Sequence, residues 1–191
     1  MAGGSDLPTD KHIDPIGDDD AQLIFMRVGK FLHYWEEMIS IYHDMILIIH
    51  DGLSINIHKL LVFEQINSPH RQFDVIGNII ENSPIFVENG NPLSKKILKN
   101  LRGAKGYIGI RNNIAHGVVV CFERGGVNSK NMLVPARHKS NILDSDWPQY
   151  SYNASTIDGY IEAIRDIRWE AIALSIELSQ WSAAQRSRAE Q

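Results

Sequence analysis

The chain has a single cysteine, Cys121, so it cannot form an internal disulfide or any zinc site built on paired thiolates. No apolar run approaches the roughly 18 residues that a membrane span requires, and the greasiest stretch, 38–49, is interrupted by His43 and Asp44. The first ten residues lack both a cationic region and an apolar core, so no secretory signal is read there and a cytoplasmic, non-membrane protein is expected. Gly-x-Ser-x-Gly is absent, which removes the nucleophile elbow of serine hydrolases. Cys121 lies in an apolar β-like run, a poor setting for a reactive thiolate. Glu-x-x-His is also absent, and with it the ligand pattern of a di-iron bundle. Positive charge is not in excess: the net charge is -4, so any contact with nucleic acid must be local.

What remains is a chain of 191 residues with 43% apolar content, enough for one domain. Residues 1–19, with Gly3, Gly4, Pro8, Pro15 and several aspartates, are too polar to bury and are expected to be a disordered acidic tail. From 21 to about 49, Val28, Trp35, Tyr42 and Ile49 recur every seven residues beside Phe31, Met38 and Met45, which predicts a long amphipathic helix. A weaker helical piece follows over 55–66. Ser68-Pro69 signals a cap and first position of a helix to about Glu81, with Phe73, Ile76 and Ile80 inward. Asn91-Pro92 repeats that signal, and one helix is expected over 92–116, its stripe being Ile97, Leu101, Ala104 and Ile108 and its stop Gly117.

The period then changes. Residues 118–122 are β-like, Gly125-Gly126 is a turn, and Met132, Leu133 and Val134 answer, so a hairpin over 118–136 is predicted, with Pro135 placing its second strand on an edge. Ser155 with Asp158 resembles a capping box opening the last helix, about 156–184, with Ile157, Ile164, Ala171 and Leu178 on one repeat. That helix should pair with the first, leaving 187–191 as a tail. The expected fold is therefore all-α, a four- or five-helix bundle over 20–186 with a small inserted β-hairpin.

Chemistry gathers at Arg111-Asn112-Asn113-Ile114-Ala115-His116. His116 has an imidazole whose usual pKa near 6.5 lets it take or give a proton at neutral pH, and Arg111 offers a permanently charged planar fork to phosphate oxygens. Asn112 and His116 share a helix face, so Asn112 can orient either the imidazole or a phosphate. Spacing alone is weak, since Arg27 and His33 also fit an Arg-x(4–6)-His pattern. The Asn directly after Arg111, the helix end and Gly117 make the second match more pointed.

This motif, closing a helix late in a helical chain, resembles the HEPN (higher eukaryotes and prokaryotes nucleotide-binding) superfamily. The resemblance covers most of the chain as topology but only Arg111, Asn112 and His116 as specific residues. It implies a metal-independent endoribonuclease of the RNxxxH type without a cofactor, yielding a 2′,3′-cyclic phosphate from a symmetric homodimer with both motifs in one cleft. It further implies a toxin, antiviral or stress-response role with an antitoxin or other regulatory protein partner. Two alternatives stay open: a non-catalytic HEPN module binding RNA, nucleotide or a protein partner, and a plain helix end, where His favours the dipole and Gly a left-handed turn.

Lys95, Lys96, Lys99, Arg102 and Lys105 precede the motif, with no carboxylate between Glu88 and Glu123. They are the candidate RNA-binding residues, or else the solvated face of their helix. His33 and Glu37 are a lone i,i+4 pair, and His43 and His50 stand two full turns apart, too far to share a metal within one helix, so both are read as a solvated helix face. Gly103-Ala104-Lys105-Gly106 matches a Gly-x-x-Gly RNA loop without the strands of a KH domain. Spacing of three among Gly103, Gly106 and Gly109 instead suggests close helix approach.

Overall fold

A computed structural model describes residues 19–51, 68–87, 92–122, 130–135 and 151–189. Of the expected tail at 1–19, residues 1–18 lie outside these residues while Asp19 already opens the first helix; the helical piece at 55–66 and the Gly125-Gly126 turn also lie outside them. In order come α1 (Asp19–Asp51), α2 (Pro69–Asn82), α3 (Pro84–Val87), α4 (Pro92–Lys105), α5 (Ile108–Ala115), β1 (Val118–Phe122), β2 (Lys130–Val134) and α6 (Ala154–Ala189). The fold is all-α with one small antiparallel hairpin. Among the described residues no helix is long and apolar enough to cross a membrane.

The chain divides into two compact units, Met1–Leu32 with Ile110–Glu162, and His33–Gly109 with Ala163–Gln191. In the second, the seven-residue repeat of α1 does what its spacing predicts: Trp35, Tyr42 and Ile49 are buried, as are Met38 and Met45. Phe73, Ile76 and Ile80 of α2 and Ile97, Leu101 and Ala104 of α4 complete this core, and Trp35 and Tyr42 pack on the Phe73 ring at 5.8 and 5.9 Å. Within this unit α6 meets α1, where Arg168 pairs with Glu37 at 2.9 Å and lies over the Tyr34 ring. The short α3 was not anticipated; it opens on Ser83-Pro84, the same signal as Ser68-Pro69, and its Phe86 stacks on Trp181 at 5.5 Å.

Five local expectations are corrected. The helix over 92–116 is broken at Gly106 and Tyr107. There the Gly106 amide divides between the carbonyls of Arg102 and Gly103, and Tyr107 reaches Ala104, a tightening that two glycines in one turn favour. Gly103 and Gly109 have open space where a Cβ would stand, so the glycines do not serve a helix crossing. Ser68 has extended backbone but makes no side-chain cap bond. Finally, the last helix opens earlier than its capping box suggested: Asn153 Oδ1 accepts from the Thr156 amide at 2.7 Å, and Asp158 is drawn instead to Arg27 of α1 at 2.9 Å. That helix also runs on past 184 to Ala189.

In the first unit, β1 and β2 pair from Val118 with Val134 to Phe122 with Lys130. The far side of β2 is not an open edge at Leu133, because Leu133 and Tyr152 exchange backbone bonds at 2.8 and 2.9 Å.

Candidate functional site

Arg111, Asn112 and Asn113 are half-buried on α5, Ile114 turns into the core of the first unit, and His116 is exposed one residue past the helix end. The Arg111 Nη1 donates to Asn112 Oδ1 at 3.3 Å. The His116 amide donates to the Asn112 carbonyl at 3.1 Å, and the Gly117 amide to Ile114 at 3.4 Å, which closes the last turn. Asn112 thus joins the motif by two routes, its side chain to the guanidinium and its carbonyl to the backbone of His116. Its amide group orients Arg111 rather than the imidazole.

Gly117 ends the helix for a reason the sequence did not suggest. Its backbone is not left-handed; instead a Cβ there would lie 2.7 Å from the Leu133 side chain and 2.9 Å from the Asn113 carbonyl. Only a residue without a side chain lets β2 close onto the end of α5. The hairpin is therefore packed directly against the turn that carries His116.

Two neighbours of the motif were missed. Asn113 Nδ2 donates to the Tyr152 hydroxyl at 2.9 Å, and the Tyr152 ring meets Tyr160 edge-on at 5.6 Å. Tyr152 is fixed by its backbone bonds to Leu133, so it ties α5 to β2 and to the start of α6. The doubled Asn after Arg111 was the available signal; Tyr152 lies in a stretch with no periodicity to mark it.

The basic run lies in the second unit, and its five cations are not equivalent. Lys96 pairs with Glu177 of α6 at 2.9 Å, and Lys105 pairs with Asp74 of α2. Lys95, Lys99 and Arg102 are exposed and make no ion pair among the described residues. Arg102 also rims a groove of about 170 Å³ between α2 and α4, whose opposite wall carries Asp74 and Glu81.

Beneath the same helix is a polar group at a core position. Asn100 is 3% exposed; it accepts from the Tyr42 hydroxyl at 2.5 Å and donates to the Ile167 carbonyl at 3.1 Å and to Glu170 at 2.7 Å. Burial holds the Tyr42 phenol well above its usual pKa, with the Glu170 charge adding to the effect. The signal was legible: Asn100 stands between Ile97 and Ala104 on the apolar stripe of α4.

His33 is exposed and sits 3.6 Å from Glu37, whose carboxylate is engaged by Arg168. Among the described residues no three His, Cys, Asp or Glu side chains converge. No family model, no curated protein and no solved structure is detectably similar to this chain.

Proposed function

We propose that the chain is a metal-independent endoribonuclease of HEPN type, with Arg111, Asn112 and His116 as its catalytic residues. The observation that carries the reading is the arrangement on one helix end: a guanidinium steadied by Asn112 at 3.3 Å, followed by an exposed imidazole whose backbone hangs from the same Asn112. In the proposed reaction a neutral His116 takes the proton of a ribose 2′-hydroxyl as that oxygen attacks the adjacent phosphorus. The bond to the 5′-oxygen breaks, and an imidazolium returns a proton to the leaving oxygen, giving a 2′,3′-cyclic phosphate and a 5′-hydroxyl. Arg111 meets the charge that gathers on the phosphoryl oxygens, and Asn112 aims it.

Arg111 and His116 are five residues apart, about 140° around a helix, so a second copy facing the first across a two-fold axis supplies the acid while this one supplies the base. Of the five candidate RNA-binding cations, Lys95, Lys99 and Arg102 are the proposed RNA-holding side chains, because Lys96 and Lys105 are held by Glu177 and Asp74. A cytoplasmic toxin, antiviral or stress-response RNase restrained by a partner protein is the biological form that suits such an activity. A second reading, a non-catalytic HEPN module, is favoured by the exposure of His116, since general acid–base catalysis gains from exclusion of water.

The test is total RNA incubated with purified protein, with and without EDTA. Arg111→Ala and His116→Ala should each abolish cleavage with unchanged helicity by circular dichroism, and Asn112→Ala should slow it by roughly ten- to a hundredfold. A requirement for metal, or activity that survives His116→Ala, defeats the proposal. An inert wild type that still binds RNA selects the second reading.

A further inference from the structure

We infer that the exposed ridge of α4 is a binding surface for one strand of RNA, held by three phosphate contacts from Lys95, Lys99 and Arg102 and blind to base sequence. The inference rests on the proposal that RNA is the substrate, but not on the chemistry at His116. At about 100° per residue these three side chains fall within an arc of about 60° and span about 10 Å of helix axis. A strand laid along that length can bring a phosphate to each of the three cations.

The flanks of the ridge set its width. Lys96 lies about 100° to one side and is tied to Glu177; Lys105 lies about 80° to the other and is tied to Asp74. Uncompensated charge therefore forms a line one side chain wide. Glu81, exposed on the groove wall opposite Arg102, adds negative charge on the α2 side. A single phosphate backbone follows such a line, whereas a duplex, broader than the roughly 8–10 Å between packed helices, would lay its second strand over carboxylates. Past Arg102 the face continues to the exposed Gly106, which has no side chain to hold a strand off the backbone. Lysine ammonium and arginine contacts to phosphate carry no base information, hence the indifference to sequence.

The experiment measures fluorescence anisotropy of the full chain with a fluorescein-labelled 2′-O-methyl 12-mer, which cannot be cleaved through a 2′-hydroxyl, over a salt series. Replacing Lys95, Lys99 and Arg102 together with Gln should reduce the slope of log affinity against log salt by about 2, at roughly 0.7 per single-strand contact. The paired swaps Lys96→Gln with Glu177→Gln, and Lys105→Gln with Asp74→Asn, should leave that slope unchanged. Uridine, adenosine and mixed 12-mers should bind alike, and a 12-base-pair duplex should show no slope change on the triple substitution. An unchanged slope in the triple variant, a paired swap as damaging as the triple, equal dependence for duplex, or affinity that tracks base sequence overturns the inference. Loss of the ridge contacts with cleavage intact counts against this inference alone, whereas a normal slope without cleavage counts against the nuclease.

Discussion

Replacing Asn100 with Leu tests how the second unit tolerates a polar group in its core. The side chain is 3% exposed, and its oxygen is the acceptor for Tyr42, which is fully buried. Leucine fills comparable space but strands the phenol as a donor without a partner, which costs about 1–3 kcal/mol. The other two lost bonds matter less, because Glu170 is exposed and returns to water. Tyr42→Phe strands the Asn100 oxygen instead and should cost about 1–2 kcal/mol. In the double variant neither partner is stranded, so its loss should fall short of the sum by about 1–2 kcal/mol. The assay is urea unfolding followed by tryptophan fluorescence, to which Trp35 and Trp181 of the same unit contribute, with the slope in denaturant unchanged across the four proteins. Losses that add to within about 0.5 kcal/mol would show that the Tyr42 and Asn100 side chains are not energetically joined.

The raised pKa of Tyr42 has a defined sign: the folded protein keeps this phenol neutral, while an unfolded chain ionises it near pH 10. Its contribution is fully present below about pH 10 and is lost as pH rises above that, so thermal unfolding of wild type should fall more steeply than that of Tyr42→Phe between about pH 9.5 and 11; parallel curves would refute this. Gly117→Ala places a Cβ against Leu133 and the Asn113 carbonyl and should destabilise the first unit by about 1–3 kcal/mol, with part recovered by adding Leu133→Ala; a melting temperature equal to wild type contradicts the packing account. For the composite cleft, a tagged heterodimer of wild type with His116→Ala should lose nearly all cleavage, whereas about half the activity per dimer would mean independent sites.

Much of the helical frame can be read directly from the chain. Trp35, Tyr42 and Ile49 on α1 and Ile157, Ile164, Ala171 and Leu178 on α6 are buried because a seven-residue spacing leaves one stripe of a helix facing its neighbours. The errors fall where a partner distant in sequence decides. Ser155 and Asp158 form a plausible capping box until Arg27 claims the Asp, which leaves Asn153 as the cap. The helix break at Gly106 was marked by its glycines, yet their spacing pointed equally to close packing, and only their exposure separates the two. At the motif, residue types alone led to the proposed roles of His116 as acid–base group and Arg111 as phosphate-binding cation. The partner of Asn112 was missed: the residue pattern had it orienting His116 or a phosphate, whereas its side-chain oxygen accepts from the neighbouring Arg111. The division of the basic run into paired and unpaired cations depends on Asp74 and Glu177, 31 and 81 residues from their lysines, and no local pattern reports it.

The nuclease proposal stands or falls most directly on the chemistry of its products. A defined RNA should be cut by the purified protein in EDTA, giving 3′ fragments with 5′-hydroxyl ends that polynucleotide kinase labels without prior phosphatase treatment and 5′ fragments whose mass includes a terminal 2′,3′-cyclic phosphate. The same oligonucleotide with a 2′-O-methyl group at the cut site should remain whole, because the attacking oxygen is blocked. Cleavage of the blocked RNA, 5′-phosphate ends, or activity that appears only with a divalent cation would contradict the roles given to Arg111 and His116.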